Sequence, residues 1–302
     1  MPSLSRNTYR HISSYLIFFC VLSCYTSHAW AGAWTQPPGA FYLKLNFGLT
    51  IAEEQIKGGE VVPLLSFSDQ GQVWEGAIYF YGEYGLPFDI PGGLTVISSL
   101  PYKFMEIDSE RALRRTEGIG DLALGLRWGI PSRRPLPLVL SIQSDFKMPT
   151  GYTANLPEGE NIPWLGNGVF ESTNSLLVGW SGYPLPIYAT GGLGFRWRGE
   201  DENLFGSIDF ANELPWSFEV GVSAAEMFLF RGTLDGIIAL GDTSALEVAA
   251  LSPPASSNLR VGGGLIVTLF QELQVNFDYN RIVTGQNALI ADQFGVGMAW
   301  AR

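Results

Sequence analysis

Phe41-Tyr-Leu-Lys-Leu-Asn-Phe-Gly-Leu-Thr50 is the stretch that decides the fold. Phe41, Leu43, Leu45, Phe47 and Leu49 alternate with Tyr42, Lys44, Asn46, Gly48 and Thr50. A helix would mix these two sets around its circumference, whereas an extended strand puts one on each face. The same period-two pattern recurs downstream. Leu138, Leu140, Ile142, Phe146 and Met148 oppose Gln143, Asp145 and Lys147. Ile187, Leu193, Phe195 and Trp197 oppose Tyr188, Thr190, Arg196 and Arg198, and Trp216, Phe218, Val220 and Val222 oppose Ser217, Glu219 and Ser223.

Read in this way, the chain predicts twelve strands, over roughly 39–50, 72–84, 93–104, 118–130, 136–148, 168–180, 185–199, 213–224, 228–240, 258–269, 272–283 and 289–301. Each is long enough to cross an apolar layer at a tilt. Short connections (85–92, 131–135, 181–184, 225–227, 270–271) alternate with long ones (51–71, 105–117, 149–167, 200–212, 241–257); only the last hairpin, near 285–288, is short where a long one is due. Turns on one rim, loops on the other and both termini on the turn side describe an all-β, transmembrane, antiparallel up-and-down barrel of about twelve strands. A soluble sandwich, which would bury its apolar faces in a dry core, is the alternative. Tryptophans argue against it: Trp74, Trp197 and Trp216 fall at the loop ends of apolar faces and Trp128, Trp180 and Trp300 at the turn ends, forming two belts at headgroup level. The closing strand alternates Phe294, Val296, Met298 and Trp300, and ends Trp-Ala-Arg.

The first residues read as a leader. Arg6 and Arg10 precede the apolar run Tyr15–Cys24, too short to span a bilayer, and Ala29-Trp30-Ala31 offers a small-x-small cleavage site. The expected division is a signal peptide over 1–31 and the barrel over 32–302. A lipoprotein box at Val21-Leu-Ser-Cys24 is the rival reading, weakened by a Leu where that box disfavours one. Both cysteines and both histidines lie in the leader, so residues 32–302 have neither. Thiolate chemistry, imidazole–metal sites and Ser–His catalysis are thereby excluded, while carboxylate-only catalysis stays open; the reading is not an enzyme and has no cofactor or metal. An outer-membrane lipase or protease ranks third among functions, handicapped by the missing histidine. Without Arg6 and Arg10 the net charge of −11 becomes −13, which argues against a nucleic-acid partner. The surroundings expected for such a chain are the lipid and lipopolysaccharide of a Gram-negative cell outer membrane, and no pattern speaks to oligomeric state.

On the inward faces, Glu75, Glu83, Asp121, Asp145, Glu171, Glu219, Asp235 and Asp278 balance Lys44, Lys103, Arg127, Lys147, Arg196, Arg198, Arg231 and Arg260. Of these, Lys44, Arg127, Asp145, Lys147, Glu171, Arg196, Arg198, Glu219, Arg231, Asp235 and Asp278 are the candidate pore-lining residues. Two readings fit the balance: a water-filled pore that filters by mixed charge, or a lumen closed by salt bridges. Twelve tilted strands leave a lumen of roughly 10 Å after side chains. Gly262, Gly264, Gly295 and Gly297 face inward and suggest local room, and Arg196 and Arg198 should find their counter-charges in Glu171 and Glu219 on the flanking strands. Glu200, Asp201, Glu202, Asp209 and Glu213 read as one solvated acidic loop cluster, with a bound divalent cation as the alternative. Arg111, Arg114 and Arg115 interleave with Glu106, Asp108 and Glu110 in a self-pairing pattern, and Trp164 is either a gate or a packed aromatic. Gly118-Ile-Gly-Asp121 lacks the third glycine and the helix of a phosphate loop.

Five segments together carry a family likeness: Gly32-Ala-Trp-Thr-Gln-Pro37, Gly118-Ile-Gly-Asp-Leu-Ala-Leu-Gly125, Lys147-Met-Pro-Thr-Gly151, Glu213-Leu-Pro-Trp-Ser-Phe-Glu-Val-Gly221 and Thr284-Gly-Gln-Asn-Ala-Leu-Ile-Ala-Asp-Gln293. Across most of residues 32–302 the chain resembles the outer-membrane barrels grouped as "meta-pathway of phenol degradation" transporters. That resemblance implies a transporter-like barrel with small aromatic or other hydrophobic molecules as cargo, and it carries no set of functional residues over. The function expected is passive diffusion of such molecules through a porin-like channel; the alternative is a closed-lumen structural or surface-interaction barrel without transport. The leader reading predicts that intact-mass analysis of the membrane-extracted protein gives a chain beginning at Gly32; a diacylglyceryl adduct on Cys24 would contradict it.

Overall fold

A computed structural model describes residues 32–57, 59–64, 72–109, 112–131, 138–150, 165–203, 206–225, 227–241, 255–270 and 272–302. Residues 1–31, where a leader is expected, and Arg111, Glu110 and Trp164 lie outside these residues. Every described element is a strand. In chain order they are β1 (Phe41–Lys57), β2 (Glu60–Pro63), β3 (Gln72–Gly85), β4 (Leu94–Ser109), β5 (Ala112–Ile119), β6 (Leu122–Gly129), β7 (Leu138–Met148) and β8 (Glu171–Ser181). They continue as β9 (Ile187–Arg198), β10 (Glu200–Asn203), β11 (Gly206–Asp209), β12 (Glu213–Ala224), β13 (Phe228–Ala239), β14 (Ser257–Thr268), β15 (Leu273–Gln286) and β16 (Ala288–Ala301).

Each wall strand pairs antiparallel with its neighbour in sequence, and β1 pairs with β16 to close the ring. The seam runs from Tyr42↔Ala301 to Ile56↔Ala288, with one shift between Ala52 and Glu54. β5 and β6 pair successive stretches of β4 and form a single stave broken at Gly120–Asp121, and β2 folds back on β1 above the ring. What remains is a barrel of twelve staves, as the alternation predicts.

Differences from the sequence reading concentrate in the long connections. β1 runs on to Lys57 and β4 to Ser109, each met by a returning strand, and β10–β11 form a separate hairpin within 200–212. Backbone above the membrane still has peptide groups to pair, and continuing the ladder pairs them without requiring an apolar face. The last hairpin closes on Asn287 alone, at φ 48°, a left-handed position that asparagine tolerates better than most residues.

Inside and outside are inverted relative to a soluble sandwich. Leu193, Leu176 and Phe230 are 59%, 55% and 53% exposed, while Arg127 is fully buried. Such a surface suits hydrocarbon, and it removes the sandwich reading. Trp74, Trp197, Trp128, Trp180 and Trp300 all lie on this outer face, and Trp216 lies there with its ring against Gly236. At the turn rim the Trp128 indole N–H donates to the Pro91 carbonyl at 3.1 Å and that of Trp300 to Glu272 at 2.9 Å, polar edges turned to the interface.

Leu176 sits at mid-strand, flanked by Ile142 on β7 and Leu193 on β9. Leu176→Arg should cost about 2–4 kcal/mol and suppress the folded band in heat-modifiability gels. Ser217→Arg, which faces the interior beside Asp235, should leave that band intact. Leu138 is a weaker probe, because it pairs with Trp180 at the turn rim, where the cost of a charge falls away.

Candidate functional site: the barrel lumen

The interior is built in two unlike halves. Along β3 to β9 it is filled except where the cavity described below reaches the inner faces of β3 and β9. Residues 32–40 do not leave the barrel at the turn rim but fold back into it, held first by paired backbone bonds between Gly39, Ala40 and Gly85. Thr35 Oγ1 then donates to the Gly92 carbonyl at 2.9 Å, and the Gln36 amide donates to Thr95 Oγ1 at 2.8 Å. Arg127 Nη1 donates to the Trp34 carbonyl at 2.9 Å. The Trp34 ring lies over Gly179 and meets Tyr188 edge-on at 6.2 Å, and Gly32 reaches Thr190 on β9. This strap therefore travels along the wall from β1 to the stave diametrically opposite. Gly179 has a specific job in this contact, since a Cβ there would stand 2.9 Å from the Trp34 ring.

Under the strap lies a closed polar knot. Glu83 accepts from Tyr81 Oη at 2.5 Å, Gln36 Nε2 at 2.7 Å and Arg127 Nη2 at 3.2 Å. Arg127 Nε donates to Gln143, whose amide donates in turn to Asp145 at 2.9 Å. Buried charges are tolerable when each lone pair and proton is met in this manner.

A second knot stands towards the loop rim. Lys147 bridges Asp121 at 2.9 Å and Glu171 at 3.1 Å. Arg198 contacts Glu171 at 3.1 Å and Glu213 at 2.7 Å, and Arg196 contacts Glu213 at 2.7 Å. Asn167 joins Lys147 to Glu171, and Phe210 lies 4.5 Å from the Arg198 guanidinium. Glu213 thus corrects two expectations. It belongs to the buried interior, not to a solvated acidic loop, and it takes the counter-charge role expected of Glu219. The register gives the reason: Glu213 pairs with Arg196, while Glu219 pairs with Thr190, six residues down β9. Only the inward phase of Glu213 on its strand could have revealed this, and its position beside the acidic loop masks that phase.

Along β1 and β12 to β16 the interior is open. A cavity of about 700 Å³ reaches Trp34 and Gln36 of the strap, Tyr42, Lys44 and Asn46 of β1, and Tyr81 and Glu83 of β3. Across it stand Tyr188, Glu219, Arg231, Asp235, Arg260 and Asp278. Arg231 bonds Asp278 and Glu219 together, Tyr188 Oη donates to Glu219 at 2.6 Å, and Arg260 Nη2 meets Asp235 at 2.6 Å. Of the sequence-derived candidates, Lys44, Arg196, Glu219, Arg231, Asp235 and Asp278 border the cavity, whereas Arg127, Asp145, Lys147, Glu171 and Arg198 do not and instead lie in the two knots. Trp34 and the tyrosines escape a search for charges, although aromatics on a polar face are a legible signal.

Gly262, Gly264 and Gly297, three of the four inward glycines, do not contribute empty space, contrary to the expectation from sequence. A Cβ at Gly262 would collide with Asn280, at Gly264 with Asp278, and at Gly297 with Asn276 and Asn46. The room they leave holds the short polar side chains of adjacent strands, which lie flat on the wall. At the outer rim Arg115 pairs with Glu106 at 2.7 Å, in line with the self-pairing pattern. No cluster able to hold a metal is found among the described residues.

Glu213 has 5% side-chain exposure and two guanidinium partners, so Glu213→Ala should leave two interior cations short of charge and cost about 3–5 kcal/mol, read as a lower unfolding temperature in detergent. Glu200→Ala, at an exposed position that starts β10, should cost less than about 1 kcal/mol.

No family model matches the chain, and no curated protein does. Solved structures do match. A crystallised outer membrane channel from Pseudomonas putida F1 aligns over 89% of this chain and 98% of its own, at 11% identity and a TM-score of 0.66. The NanC porin aligns over 85% and 98%, at 9% identity and 0.50. The β-domain of the Bordetella autotransporter BrkA aligns over 86% and 99%, at 10% identity and 0.50. At these identities the likeness is one of fold. A closed antiparallel barrel with an apolar exterior and aromatic rims, similar to outer-membrane barrels along nearly their whole length, places this chain in the cell outer membrane.

Proposed function

We propose that the barrel is a passive channel for small molecules, aromatic and hydrophobic ones among them, and that it belongs with the barrels grouped around the meta-pathway of phenol degradation. The observation carrying this reading is the cavity of about 700 Å³ left along β1 and β12 to β16, bordered by tyrosines, a tryptophan and paired charges. A barrel serving only as a scaffold has no need of such a space, and its strap and knots could fill both halves. Paired charges along the route hold ordered dipoles without presenting a strong net field, so a weakly polar solute meets no steep barrier. The flat edges of Trp34, Tyr42, Tyr81 and Tyr188 suit aromatic cargo. Around the outside, the two tryptophan belts fit a monolayer of lipopolysaccharide above and phospholipid below.

Single-channel recording in planar bilayers tests the proposal. The wild type should give discrete ionic steps, and Trp34→Ala should enlarge them, because the Trp34 ring borders the cavity on the strap side. Bilayers silent for both proteins would reject the channel in favour of the closed structural barrel.

A further inference from the structure

Among the inward-facing cations, Lys44 differs from the rest. Lys103, Arg127, Lys147, Arg196, Arg198, Arg231 and Arg260 each lie within ion-pair distance of a described carboxylate. Lys44 has no such partner and no hydrogen bond among the described residues, yet it projects into the cavity from β1. The nearby carboxylates are engaged elsewhere. Glu219 is held by Tyr188 and Arg231, and Asp278 by Arg231 and Asn276. Arg231 is the other cation facing Lys44; Glu219 and Asp278 bind it directly, and their second negative charge reaches Lys44 only at longer range. An ammonium that lines the cavity and has no direct partner among the described residues, inside a low-dielectric wall, is a ready seat for an anion.

Lys44 also stands among aromatic rings. It pairs in register with Tyr81 on β3, and Tyr42 lies two residues away on the same face. Tyr42 and Tyr81 meet edge-on at 6.2 Å, and the Trp34–Tyr188 pair borders the same cavity. A cation with rings beside it selects a ligand that has a small anionic group at one end and a flat apolar body at the other. We propose that the lumen holds a binding site for an aromatic carboxylate, with the carboxylate on Lys44 Nζ and the ring among Tyr42, Tyr81 and Trp34. The inference rests on the channel reading for its route of entry, and it names the cargo class that the channel would favour.

Calorimetric titration of the folded barrel in detergent micelles tests it, because binding there is read without conduction. Benzoate should bind, whereas benzyl alcohol, of similar size but uncharged, should bind at least about tenfold more weakly. Lys44→Met should weaken benzoate by at least about tenfold, Lys44→Arg should stay within a few-fold of wild type, and Lys57→Met at the loop rim should change nothing. Heat-modifiability gels establish that each variant is folded, and Lys44→Arg carries the test should Lys44→Met fail to fold. Equal binding of benzoate and benzyl alcohol, unchanged benzoate affinity in Lys44→Met, a preference for benzylamine, or loss of benzoate binding in folded Lys44→Arg would each overturn the site. Benzoate bound by a barrel that is silent in bilayers would refute the channel and leave the site standing; a conducting barrel indifferent to benzoate would do the reverse.

Discussion

The seam between β1 and β16 is the constraint from which the rest follows. In hydrocarbon no water can meet a free peptide N–H or C=O, and each one left open costs several kcal/mol. A sheet of twelve staves has two edges until the first and last strands pair, and here they pair along almost their whole length. At the turn rim Phe41 and Arg302 exchange the final backbone bonds, so the start of the first stave is stitched to the end of the last. Closure also fixes the phase of every stave, because a slip of one residue would turn all apolar side chains inward. The inversion of the molecule, with leucine outside and arginine inside, is therefore decided at one junction.

Fixed phase has a consequence for the interior. Charges that point inward have only hydrocarbon on the far side of the wall, so they must be satisfied where they stand. Along β3 to β9 satisfaction comes from long side chains reaching across staves and from the strap, whose backbone carbonyl at Trp34 gives Arg127 a further acceptor beside Glu83 and Gln143. The strap is thus part of the electrostatic solution as well as a filler. Removing its carbonyl would leave a fully buried guanidinium with fewer acceptors, which ties the order of residues 32–36 to the stability of β6.

Much of this was legible in the sequence. Alternation gives the staves, their phase and the belts, since period two is a purely local property and the same residues that alternate also choose the solvent. Charge balance was legible for the same reason. Pairing was not. Which acid meets which base depends on register between strands, and register is a sum over turns and bulges that no single strand records; hence Glu213 replaces Glu219 beside Arg196. The strap was equally hidden. Gly32-Ala-Trp-Thr-Gln-Pro37 has neither a strand's alternation nor a run of charge, and its place is set by Gly179 and Gly93, glycines whose role shows only once Trp34 and Thr35 lie upon them.

The open half of the lumen exists because of a choice of side-chain length. β15 presents Asn276, Asp278 and Asn280 inward, and β14 and β16 answer with Gly262, Gly264 and Gly297. A short amide or carboxylate opposite a glycine can lie along the wall, and its own hydrogen bonds are then made sideways, as Thr233 does with Asn280 and Asn276 with Asn46. Glutamine or glutamate at the same places would have to reach towards the axis, as Arg127 and Gln143 do on the opposite side. Glycine in a strand costs conformational entropy and some stability. A barrel selected for rigidity alone would have no reason to accept that cost on two staves flanking the same strand. Their clustering opposite the strap keeps that wall thin and the cavity beside it open.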